Sequence, residues 1–141
     1  MQKMREGSSG LAHRERSCRQ SPPDELIRGI EQFNRGAYLE CRTTLEFVSI
    51  HEPRLERNLY QGIAQIAIAL HHWQSGDYRG TMRQLKTALQ LLRQVAPVCQ
   101  LVDVEGLIHQ TEQLQVKLEG LGMERMNQLE QELLPRIDMT G

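Results

Sequence analysis

The sequence predicts an all-α fold, a compact bundle of about five to six helices built from helical hairpins, with a disordered N-terminal tail. Three observations predict it. Apolar residues recur every three to four positions through most of residues 21–138. Gly, Pro and Asp interrupt those runs where helix ends and starts belong. One hairpin corner is written twice, once ending on Phe33 and again ending on Trp73.

Residues 1–20 show neither helical nor strand periodicity and contain GSSG, so they read as a mobile tail. The first helix is expected from SPPDELIRGIEQF. There Ser21 suits a cap, Pro22 the first helical position and Asp24 the capping-box acid. It should stop between Asn34 and Gly36. A second helix is expected in AYLECRTTLEFVSI, with Tyr38, Cys41, Leu45 and Val48 on one side. Pro53 is placed to open a third helix, residues 53–74, whose apolar arc holds Leu55, Leu59, Ile63, Ile66, Ala67 and Leu70.

Gly76 should end that helix, and Asp77 should cap a fourth over residues 77–95 that buries Tyr78, Met82, Leu85, Leu89 and Leu92 before Pro97. Asp103 is placed to cap a fifth, bearing Val104, Leu107, Ile108, Thr111, Leu114 and Leu118. After EGLGM, a last amphipathic helix is expected to carry Met123, Met126, Leu129, Leu133 and Ile137. No segment reads as a strand.

A length of 141 residues suits one domain, placed at 21–138. The formal net charge is −1, without the basic excess that phosphate binding requires, so nucleic acid is not the expected partner. The longest apolar run falls short of the roughly 20 residues that span a bilayer, and no secretory leader pattern opens the chain. No membrane partner is expected, and the compartment reads as cytoplasmic, with an organelle stroma as the alternative because the tail is mildly basic. Cys18, Cys41 and Cys99 form no C-x-x-C pair, which argues against a disulfide framework or a zinc knuckle.

The two corner segments, FNRGAYLECRTTLE and WQSGDYRGTMRQLK, align Phe33 with Trp73, Gly36 with Gly76, Tyr38 with Tyr78 and Leu45 with Leu85. In each, an aromatic ends one helix, a glycine turns the chain and a tyrosine anchors the next. Stacked helical hairpins share this grammar. Together with LERNLYQGIAQIAIALHHWQSGDYRGTMRQL, the first of these segments resembles the family called domain of unknown function 309, over about residues 25–120. The resemblance implies a compact all-α bundle with no settled activity. Glu40, Glu46, Arg57, Gln61, Gln65, His72 and Gly76 keep the family pattern. The family's His–Glu element would fall on Arg42 and Thr43, and its following Trp on Ser49, so any metal or acid–base work of that pair is not implied here.

On the third helix, Arg57, Gln61, Gln65 and His72 fall within about 80° of one another. With Glu40 or Glu46 from the second helix they read first as a hydrogen-bond network that fixes helix packing, and in the alternative as a polar ligand pocket. Adjacent His71 and His72 point about 100° apart and are not a paired ligand set. HEPRL lacks the second histidine of the zinc-protease motif, and no Glu-x-x-His pair of the di-iron kind occurs. No metal, cofactor or catalytic residue is therefore expected. The functional expectation is a non-catalytic protein-interaction or assembly module, with a protein partner or self-association. The alternative is a protein or enzyme binding a small anionic ligand at Glu40, Glu46, Arg57, Gln61, Gln65 and His72.

Overall fold

A computed structural model describes Cys18 and residues 20–140. The expected tail lies, apart from Cys18 and Gln20, outside the described residues. Among the described residues the chain forms α1 (Asp24–Asn34), α2 (Tyr38–Ile50), α3 (Glu56–Gln74), α4 (Tyr78–Leu92) and α5 (Val104–Arg125). Helix α3 is central and packs against both α2 and α4, while α1 covers α2 and α5 covers α4. The core is aliphatic, with Leu26, Leu45, Leu59, Ile63, Ile66, Leu70, Leu85, Leu92, Leu107 and Leu114 buried around Phe33 and Tyr60.

The two corners are alike in backbone as well as in sequence. Gly36 has φ 85° and Gly76 φ 79°, the left-handed conformation that favours glycine. Gly36 N–H donates to Phe33 O (3.0 Å) and Ala37 N–H to Gln32 O (2.9 Å); Gly76 donates to Trp73 O (3.1 Å) and Asp77 to His72 O (2.9 Å). Each corner thus closes its helix with the same Schellman-type pair. The α1–α2 and α3–α4 hairpins turn through the same kind of corner.

The expected caps at Asp77 and Asp103 are present, their carboxylates accepting from Gly80 N–H (2.9 Å) and Gly106 N–H (3.0 Å). Other boundaries differ. Ser21 does not cap α1; Pro23 holds the cap position in extended backbone (φ −69°, ψ 157°), with no side-chain cap, because consecutive prolines delay the helix. Helix α3 starts at Glu56 rather than Pro53, since Glu52 holds Arg54 N–H (3.1 Å) in a non-helical turn. Helix α4 ends at Leu92, and turns fill the remainder of its expected span.

Two short strands also appear where none was expected. β1 (Val98–Cys99) pairs antiparallel with β2 (Val102–Asp103) through a two-residue turn in which Gln100 (φ 48°) and Leu101 (φ 67°) are both left-handed. A tight hairpin needs that geometry, but Asn-Gly normally announces it.

The last expected helix is not formed. Helix α5 carries a non-helical Gly122 (φ 72°, ψ 179°) and ends at Arg125; two 3-10 turns, Met126–Gln128 and Gln131–Leu133, precede an extended segment. Pro135 cannot donate to a helix, and two side chains stand in for a strand beside it. Asn34 Nδ2 donates to Ile137 O and Ile137 N–H donates to Asn34 Oδ1, both at 2.9 Å. Gln110 does the same for Arg136, at 3.0 and 2.9 Å. With Trp73 Nε1 donating to Met126 O (2.8 Å), residues 126–140 form a strap that buries Met126, Leu129 and Ile137 against the bundle. Each corner segment contributes one of its holders, Asn34 from the first and Trp73 from the second.

Leu92 of α4 packs directly on Gly62 of α3, where an added Cβ would lie 2.7 Å from Cδ2 of the fully buried leucine. Gly62→Ala is expected to destabilise the fold by about 1–2 kcal/mol, because overpacking outweighs the gain in helix propensity. A lower urea midpoint at unchanged slope checks it.

Candidate functional site

The polar centre of the molecule lies at the junction of α2 and α3. Glu52 accepts three hydrogen bonds from Arg54: from its N–H (3.1 Å), Nε (2.6 Å) and Nη2 (3.1 Å). Arg54 Nε also sits 3.3 Å from Oε2 of Glu56, whose side chain is 0% exposed. One turn further along α3, buried Tyr60 donates its hydroxyl to Oε1 of buried Gln100 at 2.7 Å. The N–H of Gln100 in turn donates to Cys18 O at 2.6 Å, and the thiols of Cys18 and Cys99 are hydrogen-bonded. Above this cluster opens a cleft of about 350 Å³, lined in part by Glu25, Phe47, His51, Glu52, Arg54 and Tyr60.

The charges in the cluster are fixed by their neighbours. The hydrogen bond from the Arg54 side chain holds the Glu52 carboxyl below the usual carboxylate range, and the same contact raises Arg54. Burial pushes the Tyr60 phenol up to about 12. The hydrogen bond with Cys18, reinforced by burial, raises the Cys99 thiol. Near neutral pH the phenol and this thiol therefore stay protonated, and the Glu52–Arg54 pair stays ionised. Neither the Tyr60 phenol nor the Cys99 thiol is thereby activated as a nucleophile.

A second feature adjoins the first. Leu39, Thr43, Phe47 and Ile50 fall within about 80° on one face of α2, and Leu39, Phe47 and Ile50 are 48%, 62% and 76% exposed. The opposite face buries Tyr38, Cys41 and Leu45. Phe47 packs edge-on against His51 (5.1 Å between centroids) and also lines the cleft, so stripe and cleft are continuous. Burial pushes the Cys41 thiol up to about 12, consistent with inert packing.

The residues singled out from the sequence are placed as follows. Arg57, Gln61, Gln65 and His72 do share one stripe of α3; Arg57 is exposed and the other three half-buried. Most of the remaining helix surface is buried, so the stripe is its solvent edge. The other contacts are local. Glu40 lies 3.8 Å from Arg35, Glu46 accepts from Arg42 Nε at 3.0 Å, and His72 Nδ1 is 3.5 Å from Asp77 Oδ2. The exposed pairs contribute a few tenths of a kcal/mol at most. Gln65 Oε1 is buried without a hydrogen-bond partner among the described residues. No group of three or more His, Cys, Asp or Glu positioned for a metal occurs among the described residues.

Sequence reasoning missed Glu52, Arg54, Glu56, Tyr60 and Gln100. A signal existed for one of them: Glu56 is in helical phase with Tyr60, Ile63 and Ala67, and a carboxylate inside an apolar arc must be buried and partnered. Gln100 gives no such signal, since the hairpin alone places it.

Residues 26–84 match the family described as "Domain of unknown function (DUF309)". The matched segment carries both corners, the α2 stripe, Arg54, Glu56 and Tyr60, and ends inside α4, short of the expected reach to about residue 120. No curated protein and no solved structure matches the chain.

Proposed function

We propose that this chain is a non-catalytic protein-interaction module whose contact surface is the outer face of α2. The observation that carries the proposal is the exposed row of Leu39, Phe47 and Ile50. Single exposed apolar residues are ordinary, but three aligned on one helix face make a patch suited to a partner helix or groove. Covering the exposed part of each stabilises a complex by about 1–2 kcal/mol before the cost of association. The neighbouring cluster supports the same reading: it sets the paired charges of Glu52 and Arg54 beside a cleft that Phe47 also lines.

Native affinity purification of the tagged chain tests this. A stoichiometric partner, or a second copy of the chain, is expected with the wild type and lost with Phe47→Asp/Ile50→Asp. Thermal unfolding of that variant should stay near wild type, since both positions are exposed. A strictly monomeric mass with no stoichiometric partner overturns the proposal, as does retention of the partner by the variant.

A further inference from the structure

We infer that Cys18 and Cys99 form a reversible disulfide, a peroxide-modifiable site that staples the N-terminal segment to the β1–β2 hairpin. The peptide N–H that follows Cys99, that of Gln100, donates to the carbonyl of Cys18 at 2.6 Å. This sets the backbones of Cys18 and Cys99 side by side, the adjacency that a disulfide between them requires. Both side chains lie in the same core cluster, and the Cys18 thiol is near enough to act on that of Cys99. Cys18 is 7% exposed and Cys99 0%, so an oxidant meets Cys18 first.

A hydroperoxide supplies the two-electron oxidation. The Cys18 sulfur attacks the peroxide, the O–O bond breaks, and sulfenic acid forms as the departing oxygen takes up the proton of the Cys18 thiol and leaves as water or an alcohol. The Cys99 sulfur then attacks the Cys18 sulfur, the S–O bond breaks, and the hydroxyl leaves as water with the Cys99 proton. A dithiol closes the cycle by exchange. Because Cys99 is held protonated, the reaction should be slower than that of a free thiol. The bond would tie Gln20 and Ser21, which line the cleft, to Gln100 in the same wall.

The full chain is treated with hydrogen peroxide and digested under conditions that block thiol exchange. Expected are a mass lower by two hydrogens, one cross-linked peptide pair joining Cys18 to Cys99, a reduced Cys41, and reversal by dithiothreitol. The oxidised form should also melt about 5 °C or more above the reduced form, because a long loop is closed. Cys99→Ser keeps a hydrogen-bonding group, and in it Cys18 should be trapped by dimedone as sulfenic acid. The inference is overturned if cross-links involve Cys41, if Cys18 advances to sulfinic acid while Cys99 stays reduced, or if Cys18 of Cys99→Ser escapes dimedone.

Discussion

Replacing Ile137 by Ala is expected to lower the free energy of unfolding by about 2–4 kcal/mol, and Asn34→Ala by about 1–3 kcal/mol. Ile137 is 2% exposed in the strap, and its backbone N–H and carbonyl are both held by the Asn34 side chain, 103 positions earlier. Truncating Ile137 leaves a cavity. Truncating Asn34 leaves two part-buried backbone groups without their partner. The two changes act on one contact, so the double variant should cost less than the sum of the singles. Urea unfolding followed by helix signal measures all three. If both single variants lie within about 0.5 kcal/mol of wild type, the strap does not hold the bundle in solution.

That strap also shows where the sequence stopped being informative. Met126, Leu129, Leu133 and Ile137 have helical spacing, and nothing within ten residues says that Asn34 and Gln110 will capture the backbone instead. Features decided locally were legible. Asp77 and Asp103 cap helices because a carboxylate three residues ahead of a free N–H needs no tertiary contact. Gly36 and Gly76 end helices because their left-handed backbone is local too. The site was less legible for the same reason. The stripe from Arg57 to His72 could be drawn from spacing, but its surroundings could not. The exposed row on α2 went unread because Phe47 and Ile50 look like core residues until α1 and α3 are seen to cover the other faces. Gln100 became a partner of Tyr60 only through a hairpin that its own residue types do not announce.

The second large effect is expected at Arg54. Arg54→Met removes the guanidinium that faces both Glu52 and the fully buried Glu56. Breaking a buried ion pair from one side costs about 3–5 kcal/mol; because Arg54 is itself 40% exposed, about 2–3 kcal/mol is expected at pH 7. The pH dependence follows from Glu52. Its carboxyl is held below the ordinary range in the folded chain, so its contribution is present above the unfolded value of about 4.3 and is lost as pH falls through the depressed folded value. The gap between wild type and Arg54→Met should therefore be largest near neutrality and narrow towards pH 3. Urea unfolding at several pH values reads it directly. A gap that does not change with pH would show that Arg54 acts through packing rather than charge.

The outer face of α2 can be tested directly as a contact surface. A photo-cross-linking residue placed at Thr43, between Leu39 and Phe47, reports on that face; one placed at exposed Lys86 on α4 reports on another. Irradiation in the native extract should give, from position 43, one discrete adduct of the chain with a single partner or a second copy, and no such adduct from position 86. The same adducts from both positions, or none from position 43, would contradict the account.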